Sequence, residues 1–244
     1  MTTSKPLVSL CFETTSSYLD NLITLKNLVA QAPDGAIIVA PEVCLSGFDY
    51  DRFEEAARFT KESLIELLPL TQNKTLIFTA ITFYEEHYFN TAYVLHRNEI
   101  AHKQSKYELF ELGKEHNYFS PGNLSDIAPF FIDGIKVGIL ICFELRFKDF
   151  WKRLEGCDII AVSAQWGKLR APHFRILTQA LAVMNQCFVV ASDAMNEDTS
   201  GLSGIITPNG DEMRNNGKQM LTGLFEEKAI SHMRRYINTK IGKK

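Results

Sequence analysis

The sequence predicts an α/β fold: a four-layer α-β-β-α sandwich, in which two sheets pack face to face between layers of helices. The first observation is that short apolar runs alternate with segments of helical periodicity. The second is that this alternation occurs twice, and the third is that each half carries a turn typical of an antiparallel hairpin. Buried strands need helices over their outer faces, and two such halves can cover each other's inner faces.

The first half of the chain begins with a short strand followed by a helix. Leu22, Leu25 and Leu28 have helical spacing, and Pro33-Asp34-Gly35 ends that helix. An Arg97-Asn98 turn between two β-rich runs predicts a hairpin. The predicted strands cover residues 7–12, 36–40, 75–84, 89–95 and 100–103, and the predicted helices cover residues 18–31 and 51–68.

The second half repeats the pattern around an Asp133-Gly134 turn and a helix with Pro172 near its start. Strands are predicted over residues 128–132, 136–142, 158–163, 187–192 and 205–207, and helices over 148–154 and 172–185. One more strand is predicted after Pro208-Asn209-Gly210. No linker divides the chain, so residues 1–244 are interpreted as one domain. The basic cluster from Met233 to Lys244 is interpreted as a solvated terminus.

Composition excludes several classes of protein. Hydrophobic residues make up 45% and charged residues 23% of the chain, and the formal net charge is −3. This balance is that of a globular protein, and it predicts neither a nucleic-acid partner nor a membrane partner. The first residues lack the layout of a signal peptide, no apolar run is long enough to span a bilayer, and the five cysteines form no close CxxC pair. We therefore expect a cytoplasmic protein with reduced thiols.

Three chemically capable side chains each follow an apolar run: Glu42, Lys106 and Cys142. In open α/β sheets the binding and catalytic residues lie at the carboxyl ends of the buried strands. A thiol at such a turn meets free backbone N–H groups, which would lower its pKa and could bind an oxyanion. Glu42 could then act as general base and general acid, and Lys106 could stabilise the negative charge. Taken singly, each residue also has an ordinary interpretation: a core cysteine, a loop carboxylate and a solvated lysine.

Sequence position leaves two assignments open. Lys103 competes with Lys106 as the cation. Three acidic residues could hold that cation: Glu108, Glu111 and Glu115. A Cys–His pair is the rival form of catalysis, but none of the six histidines lies at a strand end comparable to that of Glu42. No His/Cys pair has metal-ligand spacing, so we expect no metal, and no Gly-rich phosphate loop is visible.

Together these segments resemble the nitrilase superfamily, the carbon–nitrogen hydrolases with a Glu-Lys-Cys triad. The matching motifs are PEVCLSGF for Glu42, KYELF for Lys106, EHNYFSPG for Glu115 and ICFELRF for Cys142. CDIIAVSAQW, QALAVMNQCFVVASD and SGIITPNGD follow in the family's order, so the resemblance covers nearly the whole chain. It selects Lys106 over Lys103 and implies that Glu115 orients the lysine. The family's fold is the sandwich predicted above.

The motif around Cys142 looks most like the branch of ω-amidases and related small-amide hydrolases. The resemblance implies a hydrolase that cleaves a small linear amide, releases ammonia through a cysteine thioester and needs no cofactor. It also implies a homodimer or a larger homo-oligomer. In that mechanism the Phe143 backbone N–H would bind the oxyanion, and Phe48, Phe119 and Trp166 could form the wall of the pocket.

A cation for a substrate carboxylate could come from Arg146, Arg170 or Arg175. The alternatives within the superfamily are an N-carbamoyl amine hydrolase, a nitrilase, a cysteine-dependent acyltransferase or a catalytically silent member that binds a metabolite or a protein partner. Lys148 and Gly167 depart from the ω-amidase-like branch, which often has proline at both positions.

Overall fold

Within residues 4–241, which the computed structural model describes, the chain forms two six-stranded sheets packed face to face. The strands of the first sheet are β1 Ser4–Leu10, β2 Ile37–Val39, β3 Thr75–Tyr84, β4 His87–His96, β5 Glu99–Ser105 and β12 Met220–Glu226. Those of the second are β6 Phe130–Ile132, β7 Ile135–Ile141, β8 Ile159–Ala164, β9 Phe188–Asp193, β10 Gly204–Ile206 and β11 Glu212–Arg214. The helices are α1 Tyr18–Gln31, α2 Phe53–Leu67, α3 Lys148–Arg153, α4 Ala171–Asn185 and α5 Glu227–Tyr236.

Each sheet has parallel strands at its centre and antiparallel strands at its edges. The first sheet has the order β12-β1-β2-β3-β4-β5, in which β1, β2 and β3 are parallel. The second has the order β11-β10-β9-β8-β7-β6, in which β7, β8 and β9 are parallel. The backbone N–H of Glu42, just after β2, donates to Ala164 O at the end of β8, at 3.2 Å. The carboxyl ends of the central strands of both sheets therefore lie at the same edge of the sandwich.

Side chains alternate between two buried faces along the central strands. On β1, Leu7 packs in the core that includes the second sheet, whereas Val8 packs under α1 and α2. Two buried serines pair across the interface between the sheets: Ser9 Oγ donates to Ala191 O, and Ser192 Oγ donates to Leu10 O, both at 2.6 Å. Strands buried on both faces have nearly continuous apolar sequences, which is why the sequence predicts them well.

The predicted sandwich is confirmed, and several elements have the predicted bounds. Both α1 and β3 begin and end where the sequence places them. Both hairpins form at the predicted turns, with positive φ at Asn98 (63°) and Asp133 (48°). The other elements differ from prediction by a few residues at their ends.

The C-terminal segment is where the sequence interpretation is wrong. The sequence predicts neither β12 nor α5, and it assigns Met233 onward to solvent. In the structure Met233 is buried, and Arg234 donates to Cys157 O at 2.6 Å and lies 3.6 Å from the Asp158 carboxylate. The reason is that β12 is an edge strand with few buried side chains, and four of the ten residues of α5 are charged, so neither has a strong local pattern. Lys243 and Lys244 lie outside the described residues.

No helix in the described part of the chain is long and apolar enough to cross a membrane.

Candidate active site

The structure brings Glu42, Lys106, Glu115 and Cys142 together at the carboxyl edge of the sheets. Lys106 Nζ lies 2.8 Å from Glu42 Oε1 and 2.9 Å from Glu115 Oε1. Cys142 is the first residue after β7, and the charges of the other three side chains all act on its thiol. Lys103, the competing cation, is exposed on β5.

Glu42 is held by polar groups that reach both of its carboxylate oxygens. Asn90 Nδ2 donates to Glu42 Oε1 at 2.8 Å, and the Gln165 backbone N–H donates to Oε2 at 3.1 Å. Gln165 Nε2 also donates to the Glu42 carbonyl at 3.0 Å. The Glu42 side chain has no exposed surface, so these contacts fix it in a single orientation.

Sequence reasoning did not single out Asn90 or Gln165. Asn90 interrupts the β-rich run of β4, and Gln165 directly follows the apolar run of β8. In both cases an amide side chain lies within an apolar strand or directly after it. That pattern in the sequence could have identified both residues.

Lys106 is completely buried between two carboxylates. Burial alone would lower the pKa of Lys106, but Glu42 and Glu115 outweigh it, so the pKa is raised and the side chain is an ammonium. Burial raises the pKa of Glu115, while the Lys106 charge opposes that rise. An ammonium has three donors, and the two carboxylates accept two of them. One donor of the ammonium is therefore not used by these two ion pairs.

Cys142 sits at a strained turn between β7 and a 3₁₀ turn over Cys142–Arg146, and its φ is 45°. The predicted lowering of the thiol pKa is wrong. Burial, followed by the negative charge of Glu42, raises the pKa of Cys142 well above its usual range, although Lys106 opposes this. The resting group is therefore a thiol, which needs a base to become a nucleophile.

Two further buried carboxylates lie at strand ends near the site. Glu144 accepts backbone hydrogen bonds from Tyr107 at 2.7 Å and from Ile141 at 2.8 Å. Asp193, the last residue of β9, accepts one from the Trp166 backbone at 2.7 Å and another from the Ser200 hydroxyl. Burial raises the pKa of each carboxyl to about 7.

A cavity of about 230 Å³ opens beside these residues. Glu42, Glu115 and Cys142 line it, whereas Lys106 is buried outside the lining. Aromatic side chains form much of the wall: Phe48, Tyr50, Phe110, Phe143 and Trp166. Within residues 4–241 no group of three or more His, Cys, Asp or Glu side chains could hold a metal ion.

Two arginines line the same cavity without a carboxylate partner in the described part of the chain, Arg146 and Arg170. The Arg146 guanidinium stacks 4.8 Å from the Trp166 ring centroid, and that of Arg170 lies 5.2 Å from Phe110. Burial, and then the positive charge of Arg170, lowers the pKa of Arg146. These two cations form a subsite suited to an anionic group.

Other residues named from the sequence lie away from the cavity. Phe119 is buried and packs edge-on against Phe48, with ring centroids 6.2 Å apart, but it does not line the cavity. Arg175 is paired at the surface, with its Nε 2.6 Å from Glu212 Oε1. Cys44, which the sequence analysis does not single out, is two residues after Glu42 but belongs to the core under α1 and α2.

The four-layer sandwich is the fold of the nitrilase superfamily, as solved structures show. The Helicobacter pylori G27 carbon-nitrogen hydrolase superposes with a TM-score of 0.87 at 17% identity, covering 97% of this chain and 94% of that one. Saccharomyces cerevisiae Nit3, a member of branch 10 of the superfamily, superposes with a TM-score of 0.86 at 18% identity, covering 99% and 97%.

Sequence comparison assigns the family directly. Residues 11–224 match the model of the carbon-nitrogen hydrolases, and the chain belongs to that family. It is 29% identical over 194 residues to the 2-oxoglutaramate amidase of Bacillus subtilis (strain 168), covering 75% of this chain and 74% of the relative. It is 24% identical over 208 residues to the Omega-amidase YafV of Escherichia coli (strain K12), covering 82% and 80%. The resemblance deduced from the motifs is thereby confirmed.

Proposed function

We propose that this protein hydrolyses a small linear amide and releases ammonia; two of its relatives are named as a 2-oxoglutaramate amidase and an Omega-amidase. The observation that carries the proposal is the buried Glu42–Lys106–Glu115 cluster beside the Cys142 thiol, at the wall of a cavity. A buried thiol next to a carboxylate base, with an ammonium nearby, has the components of nucleophilic acyl transfer. Family membership and the similarity to two named amidases support the same reaction.

The first half-reaction forms a thioester. Glu42 takes the proton from Cys142 Sγ, and the thiolate attacks the amide carbonyl carbon to form a C–S bond. The Phe143 N–H and the third N–H of Lys106 stabilise the oxyanion. The C–N bond then breaks as Glu42 returns the proton to the nitrogen, and ammonia leaves. The raised pKa of Cys142 supports the need for a base in this step.

The second half-reaction hydrolyses the thioester. Glu42 accepts a proton from water while the water oxygen attacks the thioester carbonyl, and the same donors hold the new oxyanion. The C–S bond breaks, a carboxylic acid forms and the departing sulfur recovers the proton. Glu115 acts through Lys106, because its Oε1 holds the ammonium while the Phe110 N–H anchors its Oε2 at 3.0 Å.

We propose that the preferred substrates carry a carboxylate at the end opposite the amide. Arg146 and Arg170 support this, because both line the cavity and neither has a carboxylate partner among residues 4–241. Guanidinium groups bind carboxylates well through paired donors. Of the three arginines considered from the sequence, Arg175 is the one already paired at the surface.

We also propose a cytoplasmic homodimer. The exposed apolar side chains on α4, Ile176, Val183 and Met184, support an interface between two copies. Five buried free thiols support a reducing compartment. Sedimentation of the purified protein and fractionation of the source cells test the two statements separately.

Ammonia release tests the proposed reaction. The panel contains 2-oxoglutaramate, succinamate, an N-carbamoyl amine and a simple nitrile, each assayed with wild type, Cys142→Ala and Cys44→Ala. Cys44 is the matched control, because it is another buried free thiol near Glu42 but lies outside the cavity. We expect release from the amides to vanish only in Cys142→Ala. Full turnover by Cys142→Ala would overturn the proposal, and release from another class alone would change the substrate.

A further inference from the structure

We propose that Glu144 is a positioning residue that fixes the Cys142 and Lys106 segments relative to each other. The inference rests on the proposed function, because it has meaning only if these two residues act together. Nothing in the reaction described above uses the Glu144 carboxylate directly.

The carboxylate of Glu144 joins two backbone segments that are distant in sequence. Its Oε1 accepts a hydrogen bond from the backbone N–H of Tyr107, the residue after Lys106, at 2.7 Å. Its Oε2 accepts one from the backbone N–H of Ile141, the residue before Cys142, at 2.8 Å. A single planar group therefore sets the distance between the neighbour of the ammonium and the neighbour of the thiol.

The two segments need such a link because they come from different sheets. Lys106 follows β5, an edge strand of the first sheet, and Cys142 follows β7 of the second. The ion pairs of Lys106 hold its ammonium to Glu42 and Glu115 but do not reach the turn at Cys142. That turn has a φ of 45° at a residue other than glycine, a conformation that persists only where its surroundings enforce it.

The burial of Glu144 supports a functional reason for a carboxylate here. The side chain has no exposed surface, and burying a charge is unfavourable unless hydrogen bonds compensate for the lost water. Both oxygens face backbone donors, so the ionised form satisfies both donors at once. A protonated carboxyl would present a hydrogen to one of them and break that link.

Glu144→Gln tests the inference with almost no change of shape. The glutamine keeps one acceptor oxygen but presents an NH₂ group to the other backbone N–H, which breaks one of the two links. A displacement of about 1 Å between reacting groups can cost about 100-fold in rate, so we expect kcat to fall by about 100-fold. We expect KM to stay within about threefold, because Glu144 does not line the cavity. We also expect iodoacetamide to alkylate Cys142 more slowly.

Asp158→Asn is the matched control. Asp158 is also a carboxylate that accepts a backbone hydrogen bond beside β7, from Lys136 at 3.0 Å, but at the opposite end of the strand. We expect this variant to unfold at a lower temperature with kcat unchanged. Glu144→Asp keeps both acceptor oxygens on a shorter side chain, and we expect a kcat between those of wild type and Glu144→Gln.

The outcomes separate this inference from the proposed function. Folded Glu144→Gln with wild-type kcat would overturn the positioning role, even if its melting temperature fell. If Glu144→Gln does not fold, Glu144→Asp decides: a lowered kcat at wild-type KM supports the role, and an unchanged kcat overturns it. Full activity of Cys142→Ala, measured in parallel, would instead overturn the proposed function.

Discussion

The ammonium of Lys106 forms ion pairs with two carboxylates that have almost no access to water. Replacing Lys106 by Met would leave Glu42 and Glu115 facing each other across an apolar side chain. Removal of one partner from a buried ion pair typically costs about 3–5 kcal/mol of unfolding free energy, and we expect a loss of that size at pH 8. The loss should be smaller at pH 5, because the carboxyls can then take up a proton. Urea unfolding at both values of pH measures it.

Lys103→Met is the control for this variant, because Lys103 is exposed and lies two strand positions before the end of β5. We expect its unfolding free energy to stay within about 0.5 kcal/mol of wild type. If both lysine variants lost the same unfolding free energy, motions of the protein would have to bring water to the buried carboxylates of Glu42 and Glu115.

Gly167 leaves space for the guanidinium of Arg170, which lines the cavity. A Cβ at this residue would lie 2.6 Å from Nη2 of Arg170, so the guanidinium would have to move. The backbone, at φ −58° and ψ 136°, accepts any residue, and the end of an arginine is flexible, so the fold should tolerate Gly167→Ala. Since a hydrogen bond to a charged group contributes about 1.5–3 kcal/mol, we expect KM for succinamate to rise about tenfold or more.

An uncharged amide of similar length, such as butyramide, provides the comparison for Gly167→Ala. Its KM and kcat should not change, because only a carboxylate uses the displaced guanidinium. Arg170→Ala sets the upper limit of the effect on succinamate. Equal effects of Gly167→Ala on both substrates would show that Arg170 does not bind the carboxylate.

At the scale of elements, the sequence predicts what local pattern determines. The leucines of α1 and the apolar runs of β3 and β7 are visible as periods of the chain itself. β12 is not visible in this way, because it forms by pairing with β1 at the other end of the chain.

Within the site, too, the sequence shows only what is local. The strand ends locate Glu42 and Cys142, but Glu144 also accepts a hydrogen bond from Tyr107, which is far from it in sequence. The predicted lowering of the Cys142 pKa is wrong because burial, which the sequence does not show, raises the pKa more than the backbone N–H groups of the turn lower it.

The unpredicted β12 contributes to the core through Phe225. This side chain is 1% exposed and contacts Phe188 of β9 with ring centroids 5.4 Å apart, so it joins the two sheets. Truncation of a buried phenylalanine costs about 3–5 kcal/mol, and we expect Phe225→Ala to lose that much unfolding free energy. Leu224, the preceding residue of β12, is 52% exposed. We expect Leu224→Ala to lose less than about 1 kcal/mol, and similar denaturation midpoints for the two variants would contradict the placement of β12.

At the scale of the whole molecule, the parallel strands of both sheets end at the same edge of the sandwich. Polar residues follow these strand ends, and buried carboxylates lie among them. Glu144 joins the segments of Cys142 and Lys106, and Asp193 joins Trp166 to Ser200 beside the cavity. Burial disfavours the charge of both groups, whereas the hydrogen bonds that they accept favour that charge. Stability and activity should therefore respond to pH in opposite directions.

For stability, the sign follows from the raised pKa. Glu144 and Asp193 have pKa values of about 7 in the folded protein, above those of unfolded carboxyls, which are about 4. The folded state therefore holds these protons more tightly, and the resulting stability is fully present below about pH 4 and lost as pH rises through about 7. Carboxyls with lowered pKa values, such as Asp133, are ionised throughout the range from pH 5 to 8. His102, whose pKa is lowered by burial, acts in the opposite direction below about pH 6.5.

Comparison of variants isolates the contribution of the two carboxyls. We expect the unfolding free energy of wild type to decrease from pH 5 to 8 relative to that of Asp193→Asn, by about 1.4 kcal/mol for each unit of pKa difference that lies within this range. The unfolding free energy of wild type should show the same trend relative to that of Glu144→Gln. The kcat of wild type should rise as pH passes through about 7, because the ionised Glu144 carboxylate then holds both backbone segments. Urea unfolding in steps of half a pH unit measures the first effect, and initial rates at saturating substrate measure the second. If plots of unfolding free energy against pH were parallel for wild type and both variants, these carboxyls would already be ionised at pH 5. The protein would then have to solvate them better than their burial suggests.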